Sequence, residues 1–347
     1  MKVCWSLFNE IEMDIDGSVY LCCAQRVDKT SMGNIFTSNF NDIWNCELAV
    51  KMREHALKGE YPYCNHKICH KLSGNKDIHF NDIIPCFKPV MQKLPTTVAF
   101  PMGRDCNAKC IFCRDNIISS SDAEFDKIKN NLINFYLPVM KNVEVVTVND
   151  LGDAFSSKIS REIIKIISNH YPNIKFKLMT NGICASESLI NQLNLKDKIM
   201  ELSISINATT ANTHKKIFRI DAWNLLLKNL KYIKKLHQQG KIPHFHFKFV
   251  VCSENYEEMA AFVNFAHKYG ANADFWEVRD YWPNLENKYE SMAVHLPSHK
   301  NFPKLKKCLR NPLFEKDFVT LSPLLIDLRK EEINSHKMKN PFFKFLH

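Results

Sequence analysis

The chain of 347 residues, 45% hydrophobic, is long enough for one large α/β domain and a smaller one, each with a proper core. It carries 13 cysteines, yet nothing over 1–10 has signal-peptide character and no apolar run reaches membrane-spanning length. A secreted disulfide scaffold and a membrane protein are thereby disfavoured, and the cysteines read as reduced thiols of a globular, cytoplasmic protein.

The net charge of +10 suits nucleic acid, an anionic surface or a phosphate-bearing substrate and does not choose among them. Between 303 and the end, ten Lys/Arg face five Asp/Glu, a tail that reads first as solvated. The nine glycines form neither a dinucleotide-binding nor a P-loop cradle, so a Rossmann dehydrogenase and a P-loop ATPase are disfavoured.

In chain order, Glu10 to Cys22 is expected to form a hairpin: Ile11, Met13 and Ile15 alternate, Asp16-Gly17 makes the turn, and Val19 to Leu21 returns. Asp42 to Leu57 reads as one helix capped by Asn41 or Asp42, with Ile43, Trp44, Leu48, Met52 and Leu57 inward. From about Thr96 the pattern becomes repeating β-α units. Strands are expected at Val98–Phe100, Val143–Val148, Ile174–Met179, Met200–Ile206, Phe245–Val251 and Asp274–Val278. Helices are expected near Asp122–Leu137, Ser157–Asn169, Ser186–Leu193, Ala222–Leu236 and Asn255–Tyr269. Runs of Val, Ile and Phe in such units imply a parallel sheet covered by helices, and six strands suit an open barrel. The expected fold is therefore α/β, a partial (β/α)6 TIM-type barrel over 91–282. It is preceded by a small cysteine-rich domain over 1–90 and followed by a C-terminal extension over 283–347 that wraps the barrel, with one helix at Leu324–Met338.

The chemistry concentrates in Arg-Asp-Cys-Asn-Ala-Lys-Cys-Ile-Phe-Cys, which places Cys106, Cys110 and Cys113 directly after the first expected barrel strand. Three thiolates at this spacing hold one face of an iron–sulfur cluster and leave one iron for another ligand. A structural zinc site with a fourth ligand elsewhere is the competing reading. In a barrel of this kind ligands bind at the carboxyl ends of the strands, where this loop would lie.

With Phe112 before its last cysteine, the loop resembles that of the radical SAM superfamily. The resemblance implies a 4Fe-4S cluster whose open iron is chelated by S-adenosylmethionine, reductive cleavage to a 5′-deoxyadenosyl radical, hydrogen-atom abstraction from a substrate, and an electron donor such as flavodoxin or ferredoxin. Asn149 to Phe155 is similar to the family's Gly-Gly-Glu segment but departs from it at Leu151 and Asp153. It implies that Gly152 lets the backbone approach and that Asp153 pairs with the SAM ammonium; a helix-capping role for Asp153 stays open. Thr180-Asn181-Gly182 and Ser203 to Asn207 are similar to the Thr-Asn-Gly and Ser-Ile-Asp segments, which implies Asn181, Ser205 and Asn207 at the cofactor. Arg219 matches an arginine that would clamp the SAM carboxylate, against a plain surface role, and Phe249-Val250-Val251, with Val251 as the named contact, would wall the adenine or simply be strand core.

The first region resembles a SPASM-type auxiliary-cluster domain. Cys4, Gly17 and Cys22 fit its hairpin signature, Gly33-Asn34-Ile35, Ile43-Trp44-Asn45 and Arg53 complete it, and Cys64 and Cys69 follow. The resemblance implies that Cys4, Cys22, Cys64 and Cys69 close one auxiliary 4Fe-4S cluster; zinc, and Cys23, Cys46 or Cys86 as substitutes, remain open. Such a domain usually follows the barrel and here precedes it. Cys184 and Cys252, just past the third and fifth strands, would return a hydrogen atom to a substrate radical, as in related epimerases, or would be small packing residues. His244 and His246 read as packing or solvent residues.

The substrate is expected to be a carbohydrate-like or phosphorylated small molecule undergoing dehydrogenation or epimerisation, because no winged-helix segment for peptide binding precedes the cluster domain and the positive charge suits a phosphate. A peptide-modifying radical SAM enzyme is the alternative within the class. A non-catalytic zinc or iron–sulfur protein that binds nucleic acid through the tail Phe342, Phe343, Lys344 and Phe345 is the alternative outside it.

Overall fold

The structure, a computed structural model, describes residues 2–27, 30–66, 69, 72, 80–82, 88–101, 103–148, 152–280 and 288–339. Cys86, Asn149 to Leu151, the 282/283 boundary and the 342–345 tail lie outside the described residues. Two compact units are distinguished: Met1–Cys106 with Ile118–Met179 and Ser188–Met200, and Asn107–Ile117 with Thr180–Glu187 and Glu201–His347.

In the first unit β1 (Lys2–Cys4) pairs antiparallel with β5 (Phe80–Asp82). The expected hairpin is present as β2 (Glu10–Met13) and β3 (Ser18–Leu21), extended by β4 (Gly33–Asn34). Gly17 makes its turn at φ +86°, and a Cβ there would lie 2.5 Å from Asn34 Oδ1, so only glycine fits. Ile11, Met13, Val19 and Leu21 are buried, as the alternation requires, whereas Ile15 is exposed within the turn. β2 also runs parallel to β6 (Thr97–Ala99), which continues through β7 (Val145–Val148) to β8 (Lys175–Thr180). The hairpin thus prolongs a parallel sheet.

The helix expected over 42–57 is two helices. Asn39 caps Phe40–Trp44 by accepting from the Asn41 N–H, and Cys46 Sγ caps Glu47–Leu57 by accepting from the Ala49 N–H at 3.5 Å. The break falls at Asn45, whose amide is committed to Met91, accepting from its N–H at 2.8 Å and donating to its carbonyl at 2.9 Å. Arg53 is fully buried with its guanidinium 4.0 Å over the Trp44 ring. It donates to the Leu7 carbonyl at 2.9 Å and to the Pro89 carbonyl at 3.1 Å, so the residues that carried the SPASM resemblance tie three segments together. Burial lowers the Arg53 pKa to about 10.

The second unit holds a parallel run of β9 (Ile199–Ser205), β10 (His244–Val251), β11 (Asn272–Glu277) and β12 (Val319–Leu321). Phe247, Phe249 and Phe275 pack on Phe262 of the helix Met259–Tyr269, with ring centroids 4.7 to 6.3 Å apart. Successive side chains alternate, so His246, Lys248 and Val250 of β10, with Asp274 and Trp276 of β11, occupy the opposite face. The segment expected only to wrap the barrel supplies β12, with Ala273 opposite Val319. A helix at Ala211–Phe218 was not among the expected elements.

Both units are mixed α/β, the fold class expected from the sequence: the first joins the parallel strands β2, β6, β7 and β8 to antiparallel pairs, and the described strand pairs of the second are all parallel. Among the described residues no helix is long and apolar enough to cross a membrane.

Candidate functional site

The cysteine loop follows β6. The Cys106 N–H donates to the Ile118 carbonyl at 3.1 Å, and Asp105 accepts from both the Ser120 N–H (2.8 Å) and hydroxyl (2.6 Å), which closes the base of the loop. Gly152 abuts this base: a Cβ there would stand 2.5 Å from the Asp105 carbonyl oxygen, a backbone atom that cannot swing aside. The Asp153 N–H donates to that same carbonyl at 2.9 Å. Farther along, the Lys109 and Ile111 N–H groups donate to the Phe218 and Ile217 carbonyls, pinning the loop to the end of the helix Ala211–Phe218. A turn follows in which the Cys113 and Arg114 N–H groups both donate to the Cys110 carbonyl, with Arg114 Nε 3.4 Å from Cys113 Sγ. Among the described residues no three His, Cys, Asp or Glu side chains converge as one metal ion would need. A 4Fe-4S cluster takes one thiolate per iron and spreads its ligands accordingly.

The N-terminal thiols sort themselves. Tyr61, its pKa raised by burial and by nearby Cys4 and Cys64, accepts from the Cys4 N–H at 3.1 Å. Burial works against the charge on Arg26, but Cys22, Cys23 and Cys69 around it outweigh that and raise its pKa. Cys23 turns to the Glu12 carboxylate, and burial pushes its thiol up to about 12. Cys46 is occupied as a helix cap. Cys22, held at φ +68°, and Cys69 therefore stand at Arg26, while Cys4 and Cys64 stand at Tyr61.

The motif residues after the strands are largely engaged with backbone. Asp153 Oδ1 accepts from the Phe155 and Ser156 N–H groups, so it caps the turn that precedes Ser157, the actual cap of the helix Lys158–His170. Asn181 Oδ1 accepts from the Ile183 N–H, and its Nδ2 donates to Asn107 Oδ1 at 2.7 Å; Asn107 in turn donates to Cys184 Sγ at 3.4 Å. The residue after the first cysteine is thereby coupled to the Thr-Asn-Gly turn and to one of the candidate thiols. Asn207, at φ +57°, accepts from the Val250 N–H at 2.7 Å and ties the end of β9 to β10. Ser205 is half-buried opposite Lys248 in the ladder. Arg219 caps its helix at φ +54° and pairs with Asp115 at 3.3 Å. Lys288 and Arg219, both hydrogen-bonded to Asp115, lower its pKa. Cys252 is fully buried and burial pushes its thiol up to about 12, which is the packing environment; Cys184 is half-buried.

A cavity of about 330 Å³ lies in the second unit, lined by Phe112, Cys113, Val250, Trp276, Glu277, Val278 and Arg279. It joins the last cysteine of the loop to the carboxyl ends of β10 and β11. Val250 faces it, while Val251 is fully buried on the helix side, because neighbouring strand residues point to opposite faces. Trp276 to Arg279 were missed by sequence reasoning; their only signal was position at a strand end. A cysteine loop with its last thiol beside an apolar-walled cavity suits a cluster that shares an iron with a bound cofactor.

Beneath the cavity wall, Asp274 Oδ2 lies 2.6 Å from Lys248 Nζ and 2.9 Å from His246 Nδ1. His246 is thus a hydrogen-bond partner of the Asp274 carboxylate, not the simple packing or solvent residue expected, and the alternation of polar residues along β10 was the available clue.

Residues 4–70 match the SPASM family, described as an iron-sulfur cluster-binding domain. The FeMo cofactor biosynthesis protein NifB of Methanocaldococcus jannaschii is 26% identical over 175 residues, covering 47% of this chain and 54% of that one. The chain thus spans about half the length of the curated relatives it matches. Among solved structures, Streptococcus suis SuiB bound to S-adenosylmethionine is 13% identical over 92% of this chain and 71% of that one, with TM-score 0.42. A histidine-tagged anSMEcpe with bound AdoMet is 17% identical over 69% and 59%, with TM-score 0.41. Residues 4–70 are thus similar to an iron–sulfur cluster-binding domain, and about half of the chain is similar to NifB. The matched family binds an iron–sulfur cluster, and both of these solved structures contain S-adenosylmethionine.

Proposed function

We propose that the protein is a radical SAM enzyme that acts on a carbohydrate-like or phosphorylated small molecule, by dehydrogenation or epimerisation. The observation that carries this reading is the cavity whose wall includes Phe112 and Cys113 of the cysteine loop together with Val250, Trp276 and Val278 at strand ends. Cys106, Cys110 and Cys113 would hold the catalytic cluster, and Cys4, Cys22, Cys64 and Cys69 the auxiliary one. When bound, the cluster and SAM supply a 5′-deoxyadenosyl radical by reductive cleavage, with electrons from a flavodoxin- or ferredoxin-like donor.

The chain's own part is positional. Phe112 and Val250 offer flat apolar surface to an adenine ring, and the apolar wall excludes water from a reactive intermediate. Arg219 would exchange its exposed Asp115 partner for a carboxylate of the cofactor, a bidentate bond that the existing pair leaves accessible. Of the two candidate thiols, Cys184 is the better placed to return a hydrogen atom, since Cys252 is enclosed. The domain division at 90/91 and 282/283 belongs to the same proposal.

The test is isotope transfer. Reconstituted protein is incubated with SAM, dithionite and C-deuterated phosphosugars or, separately, deuterated peptides, and the 5′-deoxyadenosine is examined by mass spectrometry. Deuterium from a phosphosugar supports the reading; deuterium only from a peptide moves the protein to the peptide-modifying alternative.

A further inference from the structure

Arg26 lies in the 3₁₀ turn Ala24–Val27, where its N–H donates to the Cys23 carbonyl at 2.9 Å. The turn brings its side chain back to the preceding thiols, with Nη1 4.0 Å from Cys22 Sγ. The Arg26 carbonyl accepts from the Asn65 N–H at 2.7 Å, and the Asn65 carbonyl accepts from the Cys69 N–H at 2.8 Å. One residue therefore ties the turn after Cys22 to the segment that carries Cys64 and Cys69, and its guanidinium is the cation that Cys22, Cys23 and Cys69 act on together. Glu12, the acid beside Cys23, is committed to the Cys23 thiol and the Ala24 N–H. Cys22 and Cys69 are buried and Arg26 is half-buried, so a charge interaction among them is stronger than in water. A guanidinium keeps its charge at every pH the protein survives. Net charge and hydrogen bonds at the ligating sulfurs set the reduction potential of an iron–sulfur cluster, and a fixed cation there favours the form with one electron more.

We propose that Arg26 raises the reduction potential of the auxiliary cluster by holding a permanent positive charge against the Cys22 and Cys69 thiolates, which biases the N-terminal domain toward accepting an electron. This rests on the proposed function in taking Cys4, Cys22, Cys64 and Cys69 as the ligands of that cluster. It goes further in giving the cluster a redox bias and naming the side chain that sets it, a residue no sequence motif singled out.

The test uses the full chain carrying Cys106→Ala, Cys110→Ala and Cys113→Ala, reconstituted anaerobically, so that only the N-terminal cluster is read. It is titrated with dithionite against redox mediators, each cluster taking up one electron with no bond made or broken, and the reduced fraction is followed by electron paramagnetic resonance. Arg26→Gln should lower the reduced-to-oxidised ratio at a given potential about tenfold, a downward shift of about 59 mV for a one-electron couple. Arg26→Lys, which keeps the charge, should stay within about threefold of the parent. The backbone bond from Asn65 to Arg26 does not depend on the side chain, and iron and sulfide content shows that each variant loads. If Arg26→Gln loads poorly, Arg26→Met, which keeps an unbranched stem and removes the charge, carries the same expectation. The proposal is overturned if a fully loaded neutral variant keeps the parent potential or if Arg26→Lys shifts as far as Arg26→Gln. It is overturned equally if neither neutral variant holds iron, which would assign Arg26 to assembly of the site. A parent chain that binds no N-terminal iron with Arg26 intact instead overturns the auxiliary-cluster reading itself, so the two failures are distinct results.

Discussion

Asp274 sits opposite Lys248 in the β10–β11 ladder, two residues before Trp276 in the cavity wall, and its carboxylate serves both Lys248 and His246. Burial by itself would raise its pKa; the hydrogen bond from His246 and the charge of Lys248 outweigh burial and lower it from 3.8 to about 2. Its side chain is only 7% exposed, so solvent screens the cluster little on the carboxylate side. A pKa unit corresponds to about 1.4 kcal/mol, so the carboxylate contributes about 2 kcal/mol at neutral pH. Because the folded pKa lies below the unfolded one, this contribution is complete above about pH 4, falls to roughly half near pH 3 and is lost as pH drops through about 2. Asp274→Asn keeps the size and removes the charge. For a unit of this size it should lower the Tm by roughly 4–8 °C at pH 7 and equally at pH 5, and by a smaller margin at pH 3. Thermal melts by circular dichroism at the three pH values measure this. A margin that is absent at pH 7, or that stays the same at pH 3, refutes the assignment of the ion cluster as a stabilising element beneath the cavity.

Gly152→Ala should destabilise the protein by about 1–3 kcal/mol and reduce iron loading, since the new Cβ meets the Asp105 carbonyl beside Cys106; melts and iron analysis read both effects. Cys22→Ser should lose roughly four iron per chain whereas Cys23→Ser should retain them, because Cys23 is committed to Glu12; iron and sulfide analysis of the two variants decides the pair. Cys252→Ala should leave substrate turnover within about twofold while Cys184→Ala stops net product formation without stopping 5′-deoxyadenosine formation, if the reaction is an epimerisation. Product analysis of each variant checks this, and the reverse pattern would move the hydrogen donor to Cys252.

The β-α rhythm was legible because parallel strands flanked by helices are written as runs such as Phe245 to Val251, and the observed His244–Val251 differs from the expectation by one residue. The helix Ala211–Phe218 was not legible: its Asn, Thr and His residues carry weak helical propensity, and its end is tied into the fold by the Phe218 and Ile217 carbonyls, which accept from the Lys109 and Ile111 N–H groups. The 42–57 pattern merged two helices because the break depends on the Asn45 bonds to Met91, distant in sequence. The cysteine spacing identified the loop without help from the fold. The cavity did not declare itself, since Cys113, Val250 and Arg279 become neighbours only through strand order and register. The choice of Val251 over Val250 was a matter of strand parity, which a run of apolar residues conceals.

The central claim is that the Cys106, Cys110 and Cys113 loop binds a 4Fe-4S cluster that cleaves S-adenosylmethionine. The most direct measurement is high-performance liquid chromatography of 5′-deoxyadenosine after anaerobic reconstitution with iron and sulfide and addition of SAM and dithionite. It is applied to the wild type and to the variant with all three cysteines replaced by alanine. The account predicts 5′-deoxyadenosine and methionine from the wild type only, with the variant still carrying the N-terminal cluster. Iron bound by the wild type without any SAM cleavage, or cleavage that survives loss of the three cysteines, would contradict it.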